Sequence, residues 1–591
     1  MRTNINSFYG KLYLPRYLLK VVVAIFVFAS GASGLKAQED SADTTTDTTL
    51  NAVADTSSDS TSDTTSAEPA PLPDFVPLPD RWRSIVTPPY EINVKSNRWY
   101  DPYNQNVLKG DYPIWGQNTF LILTAQLQSV TEFARVPTPS GISTADHGKL
   151  SFFGDGERLV LIDNVNLLFE LYSGDVAFEP RRWEIKIGPS INFNYVNLKE
   201  NNNVNINVRK NTNRTKGHIA FQELSLEKHL FNLSDRFDFV SARVGIQKFG
   251  SDFRDFIFKD NNLGFRIFGN AGGNRVQYNA AYFYMLEKET NSELNTIFDD
   301  RNQQVFIFNI YKQDLFTLGY TGQLSFHYNR DKSSIHFDEN GVPVRPSVIG
   351  SVRPHNIRAY YAGWTGDGHL GRLNINHAAY YVFGTDDFNS VAGRAVDIDA
   401  QMFALELSVD YDWMRYKVSA FFASGDPDPM DGKAEGFDAI IDLPFFAGGP
   451  FSWWNQQGIR LQGVNLVNKF SLLPNLRPNK FEGQANFVNP GLFLFNVGYD
   501  AELTPKLKTT LNLNYLRFSH VETLENFLNQ GQLDPEIGID YSLGVIYRPF
   551  LNNNAIFLFG ASGLTPLEGF KDIYESEQTL FSFFTSFKLT Y

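Results

Sequence analysis

Phe581–Tyr591 reads FSFFTSFKLTY, and its two halves separate by position. Phe581, Phe583, Phe587, Leu589 and Tyr591 fall on one side of an extended chain; Ser582, Ser586, Lys588 and Thr590 fall on the other. A period of two is the mark of a strand with one apolar and one polar face. The chain ends on the aromatic residue itself. Such a strand suits the seam of a membrane barrel, where it closes the sheet and presents the chain to the barrel-assembly machinery. Its expected partner is the first strand of the sheet, near Phe120–Gln128.

The same two-faced pattern recurs upstream. Leu121, Leu123, Ala125 and Leu127 oppose Thr124, Gln126 and Gln128. Val165, Leu167, Phe169 and Leu171 oppose Asn164, Asn166 and Glu170. Trp183, Ile185, Ile187, Ile191, Phe193 and Tyr195 oppose Glu184, Lys186, Ser190, Asn192 and Asn194. Leu324, Phe326 and Tyr328 alternate with Gln323, Ser325 and His327, and Phe403, Leu405, Leu407, Val409 and Tyr411 with Glu406 and Asp410. Tyr416, Val418 and Phe422 alternate with Arg415, Lys417 and Ser419, and Leu507, Leu511, Leu513 and Tyr515 with Lys508, Asn512 and Asn514. Several runs reach about ten residues, enough to cross a bilayer at a tilt. Tyr195, Tyr328, Tyr411, Trp413, Tyr515 and Phe518 sit near run ends, where interfacial girdles lie. About 18 runs fit between Asn118 and Tyr591. The expected fold class is therefore all-β: a transmembrane antiparallel barrel of about 18 strands, since only closure satisfies every backbone group of a sheet in lipid. Longer loops are expected at Glu200–Lys216, Glu287–Arg301, Asp331–Pro354, Gly425–Gly458 and Glu522–Glu536.

Composition supports this reading. Aromatics make up 15% of 591 residues, yet beyond the N-terminal region no apolar run approaches the roughly 20 residues of a spanning helix. There is no cysteine, which excludes disulfides, thiolate metal sites and a cysteine nucleophile. A net charge of −13 argues against nucleic-acid binding.

Arg2, Lys11, Arg16 and Lys20 precede the apolar run Val21–Leu35, which predicts a signal peptide over 1–37 with cleavage after Ala37. Residues 38–80 are rich in Asp, Thr, Ser and Pro, and are expected to form a disordered linker. Residues 81–117, carrying Trp99, Tyr100, Tyr103 and Trp115, are expected to form a periplasmic or lumen-entering segment in which Lys109 and Asp111 could form a constriction. The barrel is expected over 118–591, in the outer membrane of a Gram-negative bacterium.

If the apolar face meets lipid, the polar face lines the lumen. The basic inward candidates are Lys186, Arg243, Arg266, Arg358, Arg372, Arg415, Lys417, Lys508, Arg548 and Lys588. The acidic ones are fewer: Glu170, Glu184, Glu406, Asp410 and Asp540. A basic excess favours anions in a pore, unless the charges pair across neighbouring strands and stiffen the wall. Asp426, Asp428 and Asp431 before Gly432 have the flavour of a Ca²⁺ loop, but their spacing departs from an EF-hand and fits a carboxylate-rich turn better. No other metal site and no cofactor is expected. The nine histidines form no HExxH, and His229 and His377 are isolated candidates for barrel-wall catalysis, so an enzyme is not expected.

Phe422–Phe437, FASGDPDPMDGKAEGF, resembles a segment of the alginate-export family of outer-membrane porins, in which a strand ending in ASGD runs into a DPTDGK-like loop. Ala423, Ser424, Gly425, Asp426, Asp428, Pro429, Asp431, Gly432 and Lys433 match. Ala242–Gly250 is similar to that family's VGRQ strand end, keeping Gly245, Gln247 and Gly250 with Ile246 in place of the arginine. Glu536–Tyr547 resembles its penultimate hairpin. The resemblance implies an 18-stranded outer-membrane channel passing an anionic solute or polysaccharide along a basic lumen. A structural or partner-binding barrel, engaging a periplasmic or surface protein, is the alternative.

Overall fold

A computed structural model describes residues 107–136, 154–174, 180–201, 204–236, 238–348, 350–456, 481–529, 531–574 and 577–591. The signal peptide, the linker and residues 81–106 of the following segment lie outside the described residues.

Eighteen strands run around one sheet. The first six are β1 (Thr119–Arg135), β2 (Gly154–Ser173), β3 (Trp183–Glu200), β4 (Asn213–Asn232), β5 (Phe239–Gly250) and β6 (Lys259–Ala271). Then come β7 (Val276–Lys288), β8 (Asn295–Lys312), β9 (Tyr320–Asp331), β10 (Ile357–Leu370), β11 (Leu373–Asn389) and β12 (Arg394–Tyr411). The last six are β13 (Met414–Ala423), β14 (Leu492–Thr504), β15 (Leu507–Arg517), β16 (Glu536–Tyr547), β17 (Ala555–Pro566) and β18 (Leu580–Thr590). Each pairs antiparallel with the next, and β18 pairs with β1, so the sheet closes. Strand lengths run from 10 residues in β13 to 20 in β2.

The seam differs in register from the sequence expectation. β18 pairs with Gln126–Arg135 rather than with Phe120–Gln128, because the stagger of a closed barrel shifts the last strand along the first. The free edge of β1 below the seam is taken by the preceding segment. Leu123 donates its N–H to the Leu108 carbonyl at 2.7 Å, and Lys109 bridges to Ile122. Ala125 and Tyr591 exchange backbone bonds of 3.2 and 2.8 Å. Lys109 lies over the Tyr591 ring at 5.5 Å, so it is part of the seam rather than of a constriction.

Two-residue turns at 371–372, 412–413 and 505–506 lie on one rim, and the long connections 136–153, 332–356, 424–491, 518–535 and 567–579 on the other. The outer wall is apolar: Phe193, Ile219, Leu324, Phe403, Leu513 and Phe583 are exposed. The inner wall carries buried polar side chains, among them Asn192, Asn262, Asn309, Asn329 and Asn514. An apolar exterior on a closed barrel is the arrangement that a bilayer requires.

The interior is not an empty tube. The described parts of the connection 424–491 fold inward and carry buried Phe437, Ile440, Ile441, Phe446, Trp453 and Trp454. Leu524 of helix α1 (Glu522–Leu528) and Phe570 of α2 (Glu568–Tyr574) join the same core from the long-loop rim. Phe518 belongs to this core too, and not to an interfacial girdle as its place at a run end suggested. Tyr411, Trp413 and Tyr416 do stay exposed.

Candidate functional site: the barrel lumen

Two features shape the lumen: an inward-folded loop across it and a charged belt on the wall beside it. The loop leaves β13 through Asp426, Asp428 and Asp431. Each of these carboxylates accepts a backbone N–H two residues on, from Asp428 (3.0 Å), Met430 (3.2 Å) and Lys433 (2.7 Å). That is turn geometry, and it accounts for the Asp-rich spacing without an ion. Ser424 Oγ accepts from the Gln401 N–H at 2.9 Å and donates to the Glu435 carbonyl at 2.5 Å, tying the turn to β12. Gly425 packs against the Pro490 carbonyl so closely that a Cβ there would fall 2.2 Å from it, whereas Gly432 has open space. Lys433–Ala434 then pairs parallel to β12 at Asp397–Ile398.

From there the loop reaches the opposite wall. Tyr361 of β10 donates its hydroxyl to the Asp438 carbonyl at 3.1 Å. Ile441 N–H donates to the Ile257 carbonyl at 3.1 Å, and Lys259 N–H to the Ile441 carbonyl at 2.8 Å, so the loop adds a short parallel bridge to the β5–β6 connection. Phe446 packs on Phe256 at 5.6 Å, and Phe256 stacks on Phe421 of β13 at 6.2 Å. The chain turns back there. Phe451 stacks on Phe584 of β18 at 5.7 Å, and Trp454 N–H donates to Asp540 Oδ2 of β16 at 2.8 Å. Thus Asp540, expected as a lumen charge, does face inward but anchors the loop, with Asn514 Nδ2 donating to its other oxygen at 2.8 Å. Each of the large buried side chains contributes roughly 1.5–3 kcal/mol by leaving water.

The belt lies on the inner wall of β2–β6, toward the short-turn rim. The register brings Glu184, Glu227, Arg243 and Arg266 into one cross-strand row. Arg243 joins both glutamates: Nε to Glu227 Oε2 at 2.8 Å and Nη2 to Glu184 Oε2 at 3.5 Å. Lys186 reaches Glu170 at 2.9 Å and Glu184 at 3.7 Å, and Arg181 reaches Glu170 at 3.3 Å and also pairs with Glu184. Arg266 differs. Its Nε donates to Asn279 Oδ1 at 2.8 Å and its guanidinium lies over Phe268 and Phe249 at 4.2 and 5.1 Å, with no carboxylate of the described residues in bridging range. Further round, Lys417 pairs with Asp500 at 2.7 Å, Lys508 with Asp500 at 3.7 Å, and Arg415 Nη2 with Asp410 at 2.9 Å. Glu406 holds Arg254 of the β5–β6 connection at 2.8 Å.

Three of the expected lumen residues lie elsewhere. Arg358 points outward on β10, where Ile357, Ala359 and Tyr361 are the buried, inward set. Arg372 sits exposed in the two-residue turn after β10. Arg548 falls in the connection after β16, just beyond the strand. Lys588 keeps its inward place between Ser586 and Thr590. The inward acids that went unnoticed, Glu132, Glu227 and Asp500, remove the basic excess; Arg158 pairs with Glu132 at 3.0 Å. Each lies in an alternating run and was recoverable by extending the phase. The loop had a signal as well: Ile440–Trp454, IIDLPFFAGGPFSWW, is too apolar for a solvated connection. Of the two histidines, His377 Nε2 lies 2.6 Å from the Tyr320 hydroxyl beside Trp364, and His229 packs on Phe239 at 6.1 Å.

Outside the membrane-spanning strands, burial pushes the Asp426 carboxyl up to about 7, against the pull of the Asp428 and Glu435 backbone N–H groups. Burial likewise raises Asp252, although Phe256, Arg254 and Ile257 all donate to it.

No family model matches the chain, and no curated protein matches it. Among solved structures it is similar to OccAB4 of Acinetobacter baumannii: 10% identity, 81% of this chain and 99% of that one covered, TM-score 0.42. It is also similar to a BenF-like porin from Pseudomonas fluorescens Pf-5 (10% identity, 80% and 99% covered, TM-score 0.41). OccK9 (OpdG) of Pseudomonas aeruginosa shows 8% identity over 80% and 98%, at TM-score 0.44. What this barrel does is therefore read from its own wall.

Proposed function

We propose that the chain is an outer-membrane porin or export channel for selective passive diffusion, with the alginate-export porins as the family its Ser424–Lys433 turn resembles. The observation that carries this is the pairing of a closed, apolar-sided barrel with a charged inner belt beside a loop that narrows the lumen. Selectivity follows from two inward cations of the belt and seam, Arg266 and Lys588, neither of which has a carboxylate of the described residues in bridging range. They give a balanced lumen a local preference for anionic solutes, small or polymeric. The other belt charges are neutralised by their neighbours and set the shape and water content of the passage.

Planar-bilayer recording tests this. Purified folded protein is expected to conduct, with reversal potentials that favour chloride over potassium, and Arg266→Glu with Lys588→Glu to shift them toward cations. Unchanged reversal potentials would remove these two residues from the selectivity argument. The apolar packing of the loop favours a second reading, a plugged barrel that serves as a scaffold for a partner. Absence of any conductance would leave that reading standing.

A further inference from the structure

The outer wall of β7–β11 carries an aromatic row along one register line. Tyr282, Phe306, Tyr328, Tyr360 and Phe383 are direct cross-strand neighbours, with ring centroids 4.6, 6.0, 4.7 and 5.2 Å apart in that order. Aromatic rows of this kind mark the level at which hydrocarbon gives way to headgroups. One step nearer the long-loop rim the next row reads Tyr284, Gln304, Arg330, Arg358, Thr385, Asp397.

Arg330 and Arg358 stand directly opposite one another on this outer face. Like charges in that position oppose each other. Neither guanidinium forms a hydrogen bond or ion pair with any described residue, although acids are near. Asp387, one step higher, is held by the Asn356 N–H and Nδ2 at 2.7 and 2.6 Å. Asp300 accepts from the Tyr284 hydroxyl. Asp397 lies two strand spacings from Arg358, about 10 Å away. Two guanidinium groups, flanked by the neutral polar groups of Gln304 and Thr385, thus sit at headgroup depth with unused donors. Guanidinium forks match phosphate oxygens in geometry and charge.

We infer that Arg330 and Arg358 form a binding site for the phosphate of a lipid headgroup in the leaflet at the long-loop rim. The aromatic row beneath holds the acyl chains of the same lipid. This rests on the outer-membrane part of the proposed function and not on conduction.

The test uses the full-length folded barrel in an uncharged detergent, with binding followed by native mass spectrometry. The probes are diphosphoryl lipid A, its dephosphorylated form and inorganic phosphate. The diphosphorylated lipid is expected to bind, the dephosphorylated one not. The double variant Arg330→Gln, Arg358→Gln should lose affinity by about tenfold or more, the scale of lost charge-assisted bonds. Arg372→Gln, at the other rim, should bind as wild type. Heat-modifiable gel mobility verifies folding, and single-channel conductance should be unchanged in the double variant. A failure of lipid binding with intact conductance sinks the site alone; lost conductance in wild type sinks the channel alone. Equal binding by the double variant, or by the dephosphorylated lipid, would overturn the site. Displacement of the lipid by millimolar inorganic phosphate would overturn its assignment to a lipid.

Discussion

Arg243 and Arg266 face one another across β5 and β6, yet their surroundings give them different work. Arg243 is locked between Glu184 and Glu227, which are themselves direct neighbours. Its removal leaves two buried carboxylates without their shared cation. Arg243→Gln is expected to destabilise the barrel by about 3–5 kcal/mol, read as a lower urea midpoint. Arg266→Gln should leave that midpoint nearly unmoved and act on ion selectivity instead. Asp426 offers a pH signature. Its folded carboxyl titrates near 7 because it is buried, above the roughly 3.9 of an unfolded chain. The folded state therefore holds the proton more tightly, and stability should fall as pH rises from about 4 to about 7. Melting temperatures across that window should decline in wild type and decline less in Asp426→Asn. The one wall charge whose facing the sequence misplaced, Arg358, shows why phases can deceive. Where the loop packs on β10, the inner face turns apolar through Ile357, Ala359 and Tyr361, so the charged position is the outward one. Alternation was legible there; which face met water was not.

At the scale of elements, strands and loops were legible to different degrees. The strands announce themselves because each must show one face to hydrocarbon and the other to polar groups, a constraint that acts every second residue. The connection 424–491 obeys no such local rule. Its destination is set by partners far along the chain: Ile257, Tyr361, Asp540 and Phe584. Its apolar run gave the only hint. Trp453 and Trp454 are the largest side chains that it buries. Trp454→Ala is expected to cost about 3–5 kcal/mol in the packing of this region. Replacing residues 438–456 with a short Gly–Ser linker should raise single-channel conductance several-fold while the barrel still shows heat-modifiable mobility. Unaltered conductance in that variant would place the narrowing elsewhere.

For the whole molecule, closure depends on a seam in which three parts of the chain meet. β18 covers β1 from Gln126 to Arg135, and the Val107–Gly110 stretch covers part of the remainder. Tyr591 stands where the two coverings meet, bonded to Ala125 and lying under Lys109. Deleting Tyr591 should reduce the yield of assembled barrel while the molecules that do assemble conduct normally. The sequence made the strand and its lipid-facing residues legible; the offset at which it docks was not, because stagger is a property of the closed ring and not of any one strand. Eighteen is also an even number. A chain that crosses an even number of times returns to the side from which it set out, so β1 begins and β18 ends at the same rim. With the longer connections facing the cell exterior, as is usual for outer-membrane barrels, that shared rim is the periplasmic one. An epitope appended after Tyr591 should stay hidden from antibody on intact cells, whereas one inserted beside Gly341 in the connection 332–356 should be stained.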